Sequence, residues 1–463
     1  MKITKNITEG NIYRSFLVFA TPLLISYLLS QAYTTIDAVI AGKFISQYAL
    51  GAISATGSYE NLFYSLFNGF AAGFGIYIAQ QFGKGDFLSV KQDIISNGIF
   101  VSSLSLLLGI VSVIFRNSIM DYLKVDPLLR EDAEIYFIIY ALGYALPYVN
   151  MLLVQALYAL GCTSFSLYVS FIAAMFKICG NLLSVLVLDA GVAGLAVCSV
   201  LSNLAATVCY LLLLRKVFKE LKTERIKRIF QFTGIRHSLR YAVPAAVQQV
   251  AFHGVGLLIA PSVNALGAAA TTAFNISTRL YNIGTLSLWA VSNAFTCYTS
   301  QCVGKGDHQK IPQGIKTGFL LNCLMMIPFA FLPAIFARPF TSIFFPAGVT
   351  GEAYEYAVRY ASIYLPFIYV QLVGHVLHAY MRSLGSVNTV LGITIVCSII
   401  RVASTIWLVP MLHLEGAFIG QIISWAIDAV ISVFIVCRYF RTPEQLKAIV
   451  TKVRNKSSQK SEV

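Results

Sequence analysis

The chain has 463 residues, of which 57% are hydrophobic and only 12% charged. With a mean hydropathy of +0.73, this composition excludes an ordinary soluble globule. The net charge of +14 raises nucleic acid as a partner, but the basic residues sit in short segments beside apolar spans. Topology and anionic headgroups account for them there, so no nucleic-acid partner is expected.

The opening MKITKNITEGNIYRS is polar and leads into an apolar run too long for a signal peptide, with no small-residue cleavage site after it. The first helix is therefore read as retained. Apolar runs long enough to cross a bilayer fall near 15–41, 49–81, 94–115, 133–159, 165–188 and 191–215. Six more follow near 241–265, 268–302, 314–337, 354–381, 387–411 and 416–440. The predicted fold class is an all-α polytopic membrane protein of twelve transmembrane helices. Its expected domains are a six-helix bundle over 1–215, a basic cytoplasmic linker over 216–240, a second six-helix bundle over 241–440 and a polar tail over 441–463. The linker reads as an amphipathic helix lying at the headgroups.

Lys and Arg are uneven between alternate loops. One side holds Lys84, Lys91, Lys305, Lys310, the run from Arg215 to Arg240 and the tail; the other holds little beyond Lys43, Arg116, Lys124, Arg130, Arg338 and Arg359. The positive-inside rule puts the richer side, and with it both termini, in the cytoplasm of a protein of the inner or plasma membrane.

The two halves are copies. At one constant offset Ala49, Ala52, Asn61, Gln80 and Gly83-Lys84-Gly85-Asp86 meet Ala270, Ala273, Asn282, Gln301 and Gly304-Lys305-Gly306-Asp307. With one residue of slip, Ala20 and Pro22 meet Ala242 and Pro244. The GKGD pairs lack the spacing of a phosphate loop and close apolar helices, so they read as tight turns in which Gly ends the helix.

Asp37 breaks the symmetry. It lies near the far end of the first span, and the matching position in the second copy is Leu258 or Ile259. A carboxylate inside a span is costly enough to mark a functional candidate. At equal distances after Leu160-Gly161 and Leu384-Gly385 stand Lys177 and Arg401. A rise of ~1.5 Å per residue sets Lys177 about 18 Å from the inner end of its segment, close to mid-bilayer. Glu60 and Asp428 are further in-span acids, expected to pair with Arg279 or Arg401 or to sit on a wet surface. His375 and His378 have no Cys or carboxylate partner at ligand spacing and read as packed or cavity-lining groups, so no metal or other cofactor is expected. The nine cysteines form no CxxC pair and read as small buried residues. Phe63, Tyr64, Phe67, Tyr136, Tyr140, Tyr144 and Tyr148 offer either packing surface or cation–π faces.

Pro22, the IDAVIAG of 36–42 followed by Ala49-Leu50-Gly51-Ala52, GVAGLAVCS at 191–199, VPAAVQQ at 243–249, NALGAAATTAFNISTRL at 264–280 and RSLG at 382–385 span the whole length. Together they resemble the multidrug and toxic compound extrusion family, the MATE transporters, in its prokaryotic branch. The resemblance implies two pseudo-symmetric six-helix bundles arranged as a V, with a central cavity opening alternately to the two sides. It implies exchange of a substrate, often a lipophilic organic cation, for protons or sodium. The coupling acid of the first helix lands on Asp37, a tyrosine one turn earlier on Tyr33, and a polar position of the sixth helix on Ser199. The fifth helix departs from the pattern: where the family often has Asn and, four residues later, Asp, this chain has Lys177 and Asn181. A glutamate of the seventh helix is also missing, the polar content there being Gln248, Gln249 and His253. Sodium wants several oxygen ligands, so protons are the expected coupling ion and sodium the less favoured one.

The expected function is an antiporter of multidrug efflux, a monomer in the lipid bilayer that exports small amphipathic or cationic compounds. Asp37, Tyr33, Lys177 and Asn181 are its expected coupling residues, and Pro22, Ser199, Gln248, His253 and His375 are expected to line the substrate cavity. Three readings of Lys177 stay open. Protonation of Asp37 from outside breaks an Asp37 to Lys177 pair and helix one rearranges around Pro22; the pair is permanent; or Lys177 takes an anionic group of the substrate. Lys177 and Arg401 also keep open a flippase for lipid-linked or anionic amphiphiles. A membrane-embedded enzyme finds no HExxH, nucleophile elbow or phosphate loop to rest on.

Overall fold

The computed structural model describes residues 7–40, 45, 47–123, 125–223, 230–345, 351–439 and 445. At several positions between 34 and 58, Asp37 among them, it describes the backbone alone. Every regular element among these residues is helical. The first half holds α1 (Ile12–Ile40), α2 (Gln47–Lys84), α3 (Phe87–Ile114), α4 (Arg116–Tyr122), α5 (Arg130–Leu142), α6 (Ala145–Ala159), α7 (Thr163–Leu186) and α8 (Gly191–Glu220). The second holds α9 (Phe232–Asn264), α10 (Ala268–Gly284), α11 (Leu286–Lys305), α12 (Ile311–Ile335), α13 (Ala337–Ser342), α14 (Glu352–Arg359), α15 (Ile368–Ser383), α16 (Val387–Leu412) and α17 (Leu414–Tyr439).

Among the described residues ten helical stretches are long and apolar enough to cross a membrane, and α5 with α6, bent by 47°, makes an eleventh. The twelfth expected span, 268–302, is broken into α10 and α11. At the break, Gly284 precedes Thr285, whose hydroxyl donates back to the carbonyl of Tyr281 at 3.0 Å, a contact that bends helices. Corresponding spans of the two halves are interrupted near a Leu-Pro step. Leu146-Pro147 opens α6 after the bend, and Leu365-Pro366 lies in a 3₁₀ turn that follows one turn of π-helix over Tyr360–Tyr364.

Burial is inverted relative to a soluble protein. Large apolar side chains such as Leu107, Ile114, Ile399, Trp407, Val430 and Phe434 are exposed, while Asn97, Asn181, Gln301 and Asn322 are buried. Helices satisfy their own backbone, so these apolar faces are suited to hydrocarbon.

The described chain divides by contacts into two compact units, one of Ile25–Ala246 and the other of Ile7–Leu24 with the residues from Val247 onward. Both divisions fall inside helices, α1 and α9, each two residues past a matched proline, Pro22 and Pro244. Much of the stretch expected as a separate surface helix, 216–240, is the end of α8 and the start of α9; residues 224–229 and most of the tail lie outside the described residues.

In the first unit α2 lies so close to the start of α9 that only glycine fits. A Cβ on Gly69 would meet the Cα of Ala246 at 2.4 Å, and one on Gly73 the carbonyl of Tyr241 at 2.5 Å. Polar contacts fasten the same part of α9 to α3: Ser238 donates to Asn97 Oδ1 at 2.5 Å, and the amide of Gln231 to Ser96 Oγ at 3.0 Å. The GKGD turns have the local form the residues require. Gly85 and Gly306 hold φ of +81° and +77°, in the left-handed region that favours glycine, and Asp86 caps α3 through the Ser89 amide at 3.1 Å. All nine cysteines are free thiols. Cys162, in the turn before α7, is pushed up to about 12 by burial and stays protonated.

Candidate functional site

In the first unit, α7 brings Lys177 to α1. Its ammonium stands 5.2 Å from the centre of the Tyr33 ring, within cation–π range, and the Tyr33 hydroxyl accepts a hydrogen bond from Ser30 at 3.2 Å. On α2, Glu60 accepts from Thr56 at 3.0 Å and lies near enough to Lys177 for the two charges to interact. Of the two expectations for Glu60, pairing with Arg279 or Arg401 or a place on a wet surface, the pairing is not found: its neighbours are these groups of the first unit.

A tyrosine ladder faces Glu60. Tyr136, Tyr140, Tyr144 and Tyr148 recur every four residues along α5 and α6, with successive ring centres 5.7, 5.6 and 5.5 Å apart. Tyr148 stacks on Phe67 at 4.2 Å, and the carboxylate of Glu60 acts electrostatically on Tyr140, Tyr144 and Tyr148. The period of four places one ring per turn on one helix face. Asn181, one turn beyond Lys177, is buried, and so is Ser199 on α8, whose carbonyl accepts from Asn203 at 2.9 Å. The side chain of Asp37 lies outside the described residues; its position on α1 is one turn past Tyr33.

The second unit holds a chamber of about 60 Å³ whose lining includes Gln248, Trp289, His375, Arg382, Arg401 and Asp428. Asp428 of α17 does not pair with Arg279, which is exposed. Its Oδ1 lies 2.9 Å from Nε2 of His378 on α15 and accepts from Ser432 at 3.4 Å. Glycine at 374 makes room for this carboxylate, since a Cβ there would come within 2.2 Å of Asp428 Oδ2. Arg382 donates to Gln248 Oε1 at 3.4 Å, and Trp289 meets the His375 ring edge-on at 4.6 Å.

Of the expected cavity residues, Gln248 and His375 line this chamber, whereas His253 is exposed and touches the Phe252 ring edge-on at 5.3 Å. Pro22 sits within α1 in the part that belongs to the second unit. The grouping of His378 with Asp428 was missed, although both had been singled out separately; the pair brings α15 and α17 together over fifty residues of chain, and no local pattern reports that.

Comparison with known proteins agrees with this architecture. The MatE family model matches twice, over residues 22–183 and 244–407, once in each copy of the repeat. A probable multidrug resistance protein of Bacillus subtilis (strain 168), YpnP, is 23% identical over 421 residues, covering 89% of this chain and 91% of its own. A multidrug resistance MATE family transporter solved in an outward-facing conformation superposes with a TM-score of 0.84 at 16% identity, over 97% of this chain and 98% of that one. A transporter of the same superfamily from Pyrococcus furiosus Vc1, described as having a binding pocket of reverse polarity, gives 0.85 at 16% identity over 95% and 98%. With the family model matched over both halves of a multi-pass helical membrane protein, the chain belongs to the MatE family.

Proposed function

We propose that the chain is a secondary active antiporter that exports small amphipathic compounds, lipophilic cations among them, in exchange for protons. It works by alternating access in the cell membrane, with both termini in the cytoplasm, as a monomer and without a cofactor or catalytic step. The observation that carries the coupling is Lys177 seated on the ring of Tyr33, four residues before Asp37 on the same helix. Positions four apart share a helix face, so the cation stands beside the face that carries the acid. Ionised Asp37 is balanced by that ammonium. Once Asp37 takes a proton, Lys177 is released toward Glu60, whose charge it already feels, and α7 shifts against α1. Membership in the family and the probable multidrug resistance named for YpnP support the export of drug-like compounds.

The test is ethidium efflux from proteoliposomes under a proton gradient and, separately, a sodium gradient. Efflux driven by protons alone is expected; efflux driven by sodium alone overturns the coupling. A second reading, a flippase for anionic amphiphiles, is favoured by the chamber of the second unit, whose lining holds Arg382 and Arg401 against the single carboxylate of Asp428. Transfer of a labelled anionic lipid between leaflets, with no ethidium efflux, selects that reading.

A further inference from the structure

The chamber of the second unit carries more positive charge than it balances. Its lining holds two guanidiniums, Arg382 and Arg401, and one carboxylate, Asp428, and that carboxylate is engaged by His378 at 2.9 Å and Ser432 at 3.4 Å. An unbalanced cation inside a membrane protein is costly and marks a function. Around the same space three buried polar atoms, Arg401 Nε, His375 Nε2 and Gln371 Oε1, have no hydrogen-bond partner among the described residues, and a fourth, His378 Nε2, has only its charge contact with Asp428. Buried polar atoms are nearly always paired, so a cluster of orphans in one cavity marks a place for a polar guest. At about 10–15 Å³ per water, the 60 Å³ of the chamber has room for a small polar group. Guanidinium forks fit carboxylate and phosphate oxygens. The remaining walls include Phe252, Trp289 and Trp425, flat surfaces for an aromatic body.

We infer that this chamber binds an oxyanion, the carboxylate or phosphate of an aromatic amphiphile, with Arg401 as its chief contact and Arg382 as its second. Asp428, held by His378, is the one lining carboxylate that opposes the guest. The inference names a charged group on the exported substrate and rests on the exporter reading for its use, but not for the binding itself.

The chain supplies its own reporter, because two of its three tryptophans, Trp289 and Trp425, line the chamber. The third, Trp407, is exposed on α16 and is replaced by Phe for the measurement. The purified full-length chain in phosphatidylcholine nanodiscs is titrated with benzoate, phenyl phosphate and benzylammonium. Saturable quenching by the two anions and none by the cation is expected. Arg401→Gln should weaken anion binding about tenfold, the size of one charge-assisted hydrogen bond; Arg382→Gln should weaken it less, and Arg401→Lys should recover part of the loss. Nanodiscs containing phosphatidylglycerol separate the sources: competition there identifies a lipid headgroup as the guest, and undiminished affinity a free amphiphile. Equal quenching by benzylammonium, or unchanged affinity in a folded Arg401→Gln or Arg382→Gln chain, overturns the inference. Benzoate binding without proton-driven ethidium efflux sinks the exporter reading and leaves the site standing. Efflux without anion quenching does the reverse.

Discussion

Lys177 and Glu60 are two opposite charges inside one helical unit, the first of them over the ring of Tyr33. Removing the ammonium by Lys177→Ala leaves Glu60 without its described counter-charge and Tyr33 without its cap, so efflux should fall by about tenfold or more while the chain still folds. Glu60→Gln should keep efflux but move its pH profile, since in the proposed cycle the carboxylate is a resting place for Lys177 and not the proton carrier; an unaltered profile contradicts that role. In the second unit, Gly374→Ala drives a methyl group into Asp428 and should destabilise by about 1–3 kcal/mol, read as a lower midpoint in thermal unfolding. The in-span charges were legible because a charge in an apolar run is conspicuous. Their partners were not, because Glu60 and Lys177 meet only when α2 and α7 are folded together. On α9, Gln248 lines the chamber of the second unit and His253 is exposed. At about 100° per residue, positions five apart on a helix point in different directions.

Helix ends were legible where the chemistry is local. The repeated GKGD contains its own instruction, a glycine that tolerates positive φ and an aspartate that caps the next helix. Gly85 and Gly306 have open space where a Cβ would stand, so replacing either with Ala tests backbone strain alone. A loss of about 1–2 kcal/mol each is expected, and a thermal midpoint unchanged by Gly306→Ala would contradict it. Gly69→Val probes the opposite case, in which the backbone conformation is ordinary and the space is missing; it should separate α2 from the start of α9 and lower stability by more than the turn substitutions do. The breaks in the spans were hidden because the apolar run continues through them. Gly284 and Thr285 interrupt 268–302 with scarcely a change in hydropathy, and the continuation of α8 and α9 into the basic stretch could not be told from a separate amphipathic helix.

Across the whole molecule, duplication is the feature that composition and spacing reported best. Two copies of one scaffold appear as two units divided at matched places, and the family model matches each copy once. The proposed function rests on what the copies do not share: Asp37 against an apolar position, Lys177 against Arg401, and a tyrosine ladder in one unit against a chamber lined by two guanidiniums in the other. Export driven by protons through Asp37 is the central claim. Its most direct measurement is ethidium efflux from proteoliposomes carrying the wild-type chain or Asp37→Asn under an imposed proton gradient. Proton-driven efflux by the wild type that disappears in Asp37→Asn is the predicted result; uphill efflux that survives in Asp37→Asn would contradict the account.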